Sequence, residues 1–439
     1  MLPEIDAVVR AQIAPDAPGV AVAVVKDGDV IHSQGYGLAE LEWGCAVTPD
    51  TVFCLTSLTK PFTAGAIMLL ERDGLLRLSD PVASLLPDYQ GPGREVTLAQ
   101  LLTHTSGIPN YVTQEGFWDR RSRLYHSPRA LRDLFEDLPL DFAPGTRYRY
   151  SNSAYCLLGL IIEAVAGMSY AAFIETRIFA PLGMTRSYYM HDGPVIPRRA
   201  RGYRRADDGA YAHASYLSMS LPYAAGALGS TIGDLVRWDA ALRTGTLLDQ
   251  PTQAPMYAPV RLADGHTRNY GLGWGMTDYR GGKVVHHAGG ARGFSTFYGR
   301  FLDDDLTIII LANLGHVRGD RLARRIAAVV APRPAPAIIP GDIARSTMER
   351  MAGVYDAEEG PVEVALIGRR LVLEGQRLRG QLIPLSETAC RLAEHPDITL
   401  QFEGDQPGPF ARVIASWPFH WTEAARHAAT NRPVTDDTA

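Results

Sequence analysis

The first apolar runs of the chain are short and are separated by turn residues. Residues 20–25 and 30–34 flank the polar stretch 26–29, which contains an Asp-Gly pair, and this pattern predicts a β-hairpin. Residues 57–74 carry apolar side chains at helical spacing and predict a helix. Pro61 falls in its first turns, where a missing backbone N–H costs least. The chain therefore begins with paired strands and continues into a largely apolar helix.

The middle of the chain has helical periodicity up to about residue 180, clearest over residues 97–102 and 154–166. Residues 230–242 predict another helix, with Thr231 as a candidate N-cap. Strand patterns return at residues 284–285, 294–300 and 306–313, and residues 321–330 predict a closing helix. Because strands stand at both ends with helices between them, we expect the terminal segments to pair in one antiparallel sheet.

A proline-rich stretch at residues 331–336 separates this mixed α/β region from a segment with a different hydrophobic pattern. Short strand-like pieces with Gly and Pro turns recur there and predict a small β-barrel or sandwich; they lie at residues 362–366, 370–374, 398–402 and 411–415. We expect four parts: a domain over residues 1–330, a linker over 331–344, a β domain over 345–430 and a disordered tail over 431–439.

At 439 residues the chain exceeds one ordinary core, so two or three domains are expected. The formal net charge of −5 does not indicate binding to nucleic acid or to an anionic membrane. No apolar run approaches the length needed to span a bilayer. The first residues lack a secretory signal, so a cytoplasmic location is expected. The four cysteines are scattered and the twelve histidines lack H-E-x-x-H spacing, so we expect neither a metal site nor a cofactor.

Lysine is rare in this chain: the 43 basic residues are arginines except for Lys26, Lys60 and Lys283. Lys60 follows Ser57 by three positions, which places both on one helix face. A desolvated lysine can be neutral near pH 7 and accept the serine proton, whereas an arginine cannot give up its own. The helix N-terminus would favour developing negative charge. Taken alone, the pair is explained better by a capping serine with a surface lysine.

The second candidate element is Tyr150-Ser151-Asn152. A tyrosine beside a lysine ammonium can become a phenolate and act as a base. Asn152 can donate to a substrate carbonyl and hold Lys60. The alternative is a loop tyrosine that packs on the core, with Asn152 as a turn or cap residue.

The third candidate element, His287-Ala288-Gly289-Gly290, ends a predicted strand. Its glycines would let a substrate backbone approach closely, and the N–H groups of Gly290 and Ser57 suit an oxyanion hole. Neighbouring strand residues face opposite ways, so His286 and His287 cannot both line one cleft. The alternative is a strand end with a solvated histidine.

Together the three elements occur in the order and at roughly the separations of the serine β-lactamase and penicillin-binding-protein superfamily. The chain resembles the branch that contains class C β-lactamases, related esterases, D-alanyl-D-alanine carboxypeptidases and D-aminopeptidases. The resemblance covers roughly residues 5–330, and its further motifs are Leu101-Leu102-Thr103-His104-Thr105-Ser106-Gly107, Pro144-Gly145-Thr146-Arg147, Gly226-Ala227-Leu228-Gly229-Ser230-Thr231 and Tyr270-Gly271-Leu272-Gly273-Trp274. His104 belongs to a turn of this family, and no catalytic role is assigned to it.

This resemblance implies an α/β (α+β) fold in which an antiparallel sheet flanked by helices lies beside an all-helical subdomain, followed by one small, lipocalin-like β-barrel. It implies that Ser57 is the nucleophile and that Lys60 and Tyr150 share the proton transfer, with the choice of base left open. A covalent acyl-enzyme would form and be hydrolysed by water. The implied substrate-binding residues are Asn152, His287, Gly289 and Gly290.

The chain departs from the β-lactamase pattern because His287-Ala288-Gly289 replaces Lys-Thr-Gly. Alanine donates no hydrogen bond and histidine is charged only near or below about pH 6.5, so a substrate carboxylate should bind less well. An H-A-G strand is similar to that of D-aminopeptidases and D-amino-acid amidases, so the predicted substrate is a small amide, short peptide or ester. The alternatives are a β-lactamase or D-alanyl-D-alanine carboxypeptidase, or a non-catalytic binding or scaffold protein. A homodimer is left open.

Overall fold

The structure is a computed structural model that describes residues 2–334, 337–357, 360–376, 378–404, 408–417 and 420–426. The chain forms two compact units. The first comprises the described residues up to Met276 together with Val284–Ala331, and the second comprises Thr277–Lys283 together with the described residues from Pro332 onward. The predicted disordered tail, residues 431–439, lies outside the described residues.

The α-helices up to residue 331 are α1 (Pro3–Arg10), α2 (Lys60–Arg72), α3 (Val82–Leu85), α4 (Leu98–Leu102), α5 (Pro128–Arg132), α6 (Asn152–Ala166), α7 (Tyr170–Ile174), α8 (Tyr223–Gly226), α9 (Ile232–Thr244), α10 (Gln250–Gln253) and α11 (Gly319–Val330). Short 3-10 helices cover Thr56–Thr59, Tyr111–Thr113, Ala254–Tyr257 and Leu302–Asp304, and π-helical turns cover Phe117–Arg121 and Glu175–Phe179.

The strands over the same part of the chain are β1 (Val20–Lys26), β2 (Asp29–Tyr36), β3 (Leu38–Glu40), β4 (Cys45–Ala46), β5 (Phe53–Cys54), β6 (Tyr188–Tyr189), β7 (Tyr203–Arg205), β8 (Tyr211–His213), β9 (Leu228–Ser230), β10 (Val260–Arg261), β11 (Thr267–Arg268), β12 (Gly275–Tyr279), β13 (Gly282–Ala291), β14 (Phe294–Phe301) and β15 (Leu306–Ala312). The main sheet has the order β12-β13-β14-β15-β1-β2.

The two ends of the first unit meet in this sheet. Val20 on β1 pairs with Ala312 on β15 and, on the other side, with Tyr36 on β2, and both ladders are antiparallel. Strand β15 is buried throughout and β1 through its first six residues, as is typical of apolar strands covered on both faces. The predicted pairing of the terminal segments in one antiparallel sheet is confirmed.

Helices cover both faces of the sheet. Tyr298 on β14 donates its hydroxyl hydrogen to Asp239 of α9 at 2.6 Å. The neighbouring residue Phe297 packs against Gly319 of α11, and successive strand residues point to opposite faces. Helices α9 and α11 therefore lie on opposite sides of β14.

The predicted helix over residues 57–74 is wrong at its start. Residues Thr56–Thr59 form a 3-10 turn, in which the Lys60 N–H bonds to the Ser57 carbonyl, and α2 begins only at Lys60. In an α-helix that carbonyl would accept the N–H of Pro61, which has none. The missing donor therefore leaves Ser57 in the tighter turn that precedes α2. Elsewhere the predicted helices correspond to α4, α6 and α9, and the Thr231 hydroxyl caps α9 as predicted.

The second unit contains α12 (Arg345–Met351) and the strands β16 (Gly353–Ala357), β17 (Gly360–Ile367), β18 (Arg370–Glu374), β19 (Arg379–Ser386), β20 (Ala389–Leu392), β21 (His395–Glu403), β22 (Arg412–Trp417) and β23 (His420–Arg426). Each strand pairs with the next, and β16 pairs with β23, so the barrel is closed. Alternate side chains such as Leu371 and Leu373 are buried and form one apolar cluster with Met351 of α12. The predicted small β-barrel is confirmed.

Candidate active site

Ser57 lies on the turn that joins β5 to α2. The preceding residue Leu55 is anchored to the short β5-β9 pair because its N–H donates to the Leu228 carbonyl at 2.8 Å. Thr56 has a φ of 51°, a left-handed conformation that costs a non-glycine residue roughly 1–2 kcal/mol. Its hydroxyl donates to the Leu55 carbonyl at 2.7 Å. These bonds hold a strained turn in which the side chain of Ser57 reaches a cavity.

Lys60 places a fully buried amine behind the serine. Its Nζ atom is within hydrogen-bonding distance of three oxygens: Ser57 Oγ at 3.3 Å, Asn152 Oδ1 at 2.9 Å and Ala225 O at 2.8 Å. Within the part of the chain that the structure describes, no carboxylate forms an ion pair with this amine. Burial, with the side chain 0% exposed, lowers the pKa of Lys60 well below its ordinary value.

The neutral form of Lys60 fits its three neighbours. A neutral amine has two N–H donors and one lone pair. The amide oxygen of Asn152 and the carbonyl of Ala225 can only accept, so they take the two N–H groups. The lone pair is then left for the hydrogen of the Ser57 hydroxyl. An ammonium could equally donate to all three oxygens, so it is the lowered pKa that favours an amine able to receive a proton from the serine.

Asn152 is the first residue of α6 and is held from its other side by Asn110. Its backbone N–H donates to Asn110 Oδ1 at 3.2 Å and its side-chain nitrogen lies 3.4 Å from the same oxygen. Asn110 thereby orients the Asn152 amide with its oxygen toward Lys60. The amide nitrogen carries two hydrogens, and the one that does not face Asn110 remains to donate to a substrate carbonyl.

Tyr150 approaches the serine from the loop before α6. Its side chain lines the same cavity as Ser57. Burial raises the pKa of Tyr150, while the nearby Ser57 hydroxyl lowers it by less. The Lys60 amine lies 4.7 Å from the centre of the ring. The His104 ring lies 4.3 Å from the same ring, and its Nδ1 accepts the N–H of Ser151 at 3.2 Å. The predicted family turn thus supports the tyrosine loop.

Strand β13 passes directly behind the nucleophile turn. A Cβ atom built on Gly289 would lie 2.0 Å from Thr56 Oγ1 and 2.6 Å from the Leu55 carbonyl oxygen, so only glycine fits there. A Cβ atom on Gly290 would meet nothing within 4 Å, and Gly290 lines the cavity. The two glycines therefore have different tasks: Gly289 permits close packing and Gly290 leaves open space beside Ser57.

His287 is buried and both of its ring nitrogens are occupied. Nδ1 lies 2.7 Å from the Ala288 carbonyl and Nε2 lies 2.9 Å from the Tyr270 hydroxyl. A carbonyl only accepts, so Nδ1 carries the hydrogen and Nε2 accepts from Tyr270. Burial, and to a lesser degree the charge of Lys60, lower the pKa of His287 to about 3. The ring is therefore neutral at physiological pH.

A cavity of about 520 Å³ opens in front of Ser57. The predicted site residues that line it are Ser57, Tyr150, Asn152 and Gly290. Lys60 contacts Ser57 from behind, and His287 and Gly289 are not among the lining residues. Much of the wall is apolar, with contributions from Tyr111, Phe117, Trp118, Met219, Leu221 and Phe294. The structure thus brings the three sequence elements together around one cavity.

Several lining residues were missed by the sequence analysis. Arg199, Arg201 and His213 come from the stretch between β6 and α8, and they line the cavity although they lie far from every motif along the sequence. This stretch has little regular structure, so no periodicity marks it. Arg292 also lines the cavity, and its position two residues after Gly290 was a signal that could have identified it.

Among the residues that the structure describes, no three His, Cys, Asp or Glu side chains are grouped as a metal ion would require. Within the same residues, no single helix is long and apolar enough to span a bilayer, although the bent pair Asn152–Ala166 and Tyr170–Phe179 passes on length and composition together.

This fold and this arrangement of serine, lysine and tyrosine are those of a serine hydrolase with a β-lactamase-like domain. The Beta-lactamase family model matches residues 5–331, and the chain belongs to this family. Penicillin-binding protein 4* of Bacillus subtilis is 34% identical over 394 residues, which cover 84% of this chain and 86% of the relative. A D-aminopeptidase of Gluconobacter oxydans is 28% identical over 67% of this chain and 56% of its own length.

Solved structures show the same relationship. An octameric penicillin-binding protein homologue from Pyrococcus abyssi superposes with a TM-score of 0.66 at 25% identity, covering 96% of this chain and 99% of that chain. A D-amino acid amidase from Ochrobactrum anthropi superposes with a TM-score of 0.65 at 26% identity, covering 75% of this chain and 99% of that chain. The chain is therefore similar both to penicillin-binding proteins and to enzymes named for D-amino-acid substrates.

Proposed function

We propose that this chain forms an acyl-enzyme on Ser57 and hydrolyses small amides, short peptides or esters built on D-amino acids, as a D-aminopeptidase or a D-amino-acid amidase or esterase. The buried amine of Lys60, 3.3 Å from Ser57 Oγ, is the observation that carries the proposal. A lysine without a carboxylate partner is costly to bury, and activation of the serine gives a reason for that cost.

In this mechanism Lys60 is the base that takes the Ser57 proton. Burial lowers the pKa of Lys60 and raises the pKa of Tyr150, so at neutral pH the amine has a free lone pair while the phenol keeps its hydrogen. The neutral phenol lines the cavity with Ser57, where it would pass its proton to the leaving group and regain one from the Lys60 ammonium. That return transfer restores the neutral amine for the second half of the reaction. The lowered pKa of Lys60 and the raised pKa of Tyr150 support this choice between the two bases that the sequence leaves open.

The carbonyl of the substrate would be polarised by the N–H groups of Ser57 and Gly290, which suit an oxyanion hole. Gly290 borders open cavity, and Gly289 keeps its strand close to the nucleophile turn. The Asn152 amide nitrogen would donate to the acyl part of the substrate. Water then hydrolyses the ester on Ser57, with Lys60 again accepting a proton. His287 would support this part of the site through its hydrogen bond with the Tyr270 hydroxyl.

A D-alanyl-D-alanine carboxypeptidase or β-lactamase activity is the second candidate. The match to penicillin-binding protein 4* favours it, because that match covers 84% of this chain. Both candidates use the same nucleophile and the same acyl-enzyme, so they differ only in the substrate that the cavity accepts.

A substrate panel with wild type and Ser57→Ala tests the proposal. The panel contains D- and L-alanine 4-nitroanilides, short 4-nitrophenyl esters and nitrocefin, and a fluorophosphonate probe reports on Ser57 by intact mass. We expect labelling of wild type only, and turnover of a D-amide or an ester that Ser57→Ala abolishes. Absence of labelling and turnover would refute the hydrolase, whereas an L-amide or nitrocefin as best substrate would refute the D-amino-acid specificity.

A further inference from the structure

The cavity in front of Ser57 carries positive charge on its wall. Four basic side chains line it, Arg199, Arg201, His213 and Arg292, and no Asp or Glu is among its lining residues in the described part of the chain. Two of the four have acidic neighbours outside the cavity: His213 lies 2.6 Å from Glu42, and Arg201 lies 3.9 Å from Glu40. Arg199 and Arg292 form no ion pair with any described residue. The excess charge is therefore positive.

Arg292 is held in place on the cavity wall. The carbon of its guanidinium lies 4.9 Å from the centre of the Trp118 ring, which also lines the cavity. A guanidinium over an aromatic face keeps its N–H edge free for a bidentate bond to a carboxylate. Trp118 therefore fixes the position of the cation without neutralising it.

Arg292 also lies close to the reacting centre along the chain. It follows Gly290 by two residues, a step of about 7 Å along an extended backbone. A substrate whose carbonyl sits beside Gly290 would therefore place a group a few bonds away within reach of the Arg292 side chain. The charge lies where it can select substrates.

The strand motif does not supply this charge. The family lysine is replaced by His287, which is neutral, buried and fully hydrogen-bonded. Ala288 in place of threonine offers no hydroxyl. Positive charge is thus absent from the motif and present elsewhere on the cavity wall, at Arg292 and Arg199. A free ammonium group in this cavity would meet cations and no carboxylate.

We propose that the natural substrate carries a carboxylate in the part that fills this cavity, and that Arg292 binds it, with Arg199 adding to the attraction. This inference rests on the proposed hydrolase function and narrows its substrate to anionic D-amino-acid derivatives. Within that proposal it favours an amidase or esterase of blocked substrates over an aminopeptidase. It predicts that a blocked, acidic acyl group is preferred over a free amino terminus.

Matched amides test the inference because they share one scissile bond. The series is D-alanine 4-nitroanilide with a free amine, its N-acetyl form and its N-succinyl form, which are cationic, neutral and anionic. N-acetyl-D-alanyl-4-aminobenzoate places the carboxylate on the leaving group instead, and its methyl ester is its neutral partner. We expect kcat/KM for at least one of the two carboxylate-bearing substrates to exceed that of its own neutral partner about tenfold, and the free amine to be poorest. The better carboxylate substrate shows which half carries the anion.

Arg292→Gln is the decisive variant, with Arg292→Lys and Arg204→Gln beside it. Arg204 is exposed and does not line the cavity, so its loss controls for overall charge. We expect Arg292→Gln to reduce the anionic preference to within about threefold, with a larger loss on the carboxylate-bearing substrate than on its neutral partner. Arg292→Lys should be intermediate, because lysine keeps the charge without the bidentate edge, and Arg204→Gln should behave as wild type.

Failure of this inference and failure of the proposed hydrolase function would give different results. A wild type that cleaves the free or N-acetyl amide faster than both carboxylate substrates would overturn this inference and leave the hydrolase standing. Equal losses on all substrates in a folded Arg292→Gln would also overturn it, because Arg292 would then be structural. Absence of turnover together with absence of fluorophosphonate labelling would overturn both proposals.

Discussion

Gly289→Ala should separate the nucleophile turn from the strand that supports it. The added Cβ would lie 2.0 Å from Thr56 Oγ1, about 1 Å less than the 3.0 Å limit for such contacts. Rotation of Thr56 would break its 2.7 Å bond to the Leu55 carbonyl. The carbonyl oxygen itself, at 2.6 Å from the new Cβ, is backbone and cannot rotate away. Strand β13 or the turn must therefore shift by several tenths of an ångström to about 1 Å.

Such a shift moves Gly290 relative to Ser57. Misplacement by about 1 Å can cost about 10²-fold in rate, and overpacking typically costs about 1–3 kcal/mol of stability. We expect Gly289→Ala to slow phosphonylation of Ser57 by about 10²-fold and to lower the melting temperature. Gly290→Ala is the matched control, because its Cβ meets nothing within 4 Å, and it should fold and react within about tenfold of wild type with a small probe.

The assay is the second-order rate of fluorophosphonate labelling, followed by intact mass, with melting temperature measured in parallel. A Gly289→Ala protein that labels at the wild-type rate would refute the close packing of β13 on the turn. An equal loss of labelling in a folded Gly290→Ala protein would also contradict this packing, because the Cβ of that variant meets nothing within 4 Å.

Three further predictions follow from the same contacts. Lys60→Arg replaces the neutral amine with a permanent cation that cannot supply a free base, so kcat should fall about 10²–10⁴-fold; activity of Lys60→Arg near wild type would show that another group is the base. Tyr150→Phe removes the phenol that lines the cavity with Ser57, so kcat/KM should fall by about 10²-fold or more with little change in melting temperature, while Tyr148→Phe serves as the control. Because the pKa of His287 is about 3 when folded and 6.5 ordinarily, the unfolded state binds more protons between these values, and stability contributed by the neutral ring is lost as pH falls through that window. Urea unfolding at pH 4 and pH 7 should show less acid sensitivity in His287→Gln than in wild type or in His191→Gln, an exposed control; equal sensitivity would contradict the buried neutral ring.

Local chemistry made several elements predictable. The hairpin of β1 and β2 turns at Asp27 and Gly28, whose φ values of 52° and 89° are both positive, as an Asp-Gly pair favours. The start of α2 could not be placed by periodicity alone, because the missing N–H of Pro61 decides it. The pattern over residues 284–285 marked only part of β13, which runs over Gly282–Ala291. Its histidines and glycines have no strong strand preference, and pairing with β14 determines the strand.

The site was predictable where short spacings carry chemistry. Ser57 and Lys60 are three residues apart, so their contact follows from one turn of chain. The state of His287 was not predictable, because it depends on the Tyr270 hydroxyl, 17 residues away in sequence. The position of Arg199 on the cavity wall could not be predicted either, because this residue lies in irregular backbone that no sequence periodicity describes.

The most direct test of the central claim is to trap the acyl-enzyme. Wild type, Ser57→Ala and Lys60→Met are mixed with N-acetyl-D-alanine 4-nitrophenyl ester, quenched in acid within milliseconds, and digested for mass spectrometry. A buried amine that activates Ser57 predicts an acyl adduct on the Ser57 peptide of wild type, none in Ser57→Ala and far slower formation in Lys60→Met. An adduct on another residue, or turnover that survives in Ser57→Ala, would contradict the account.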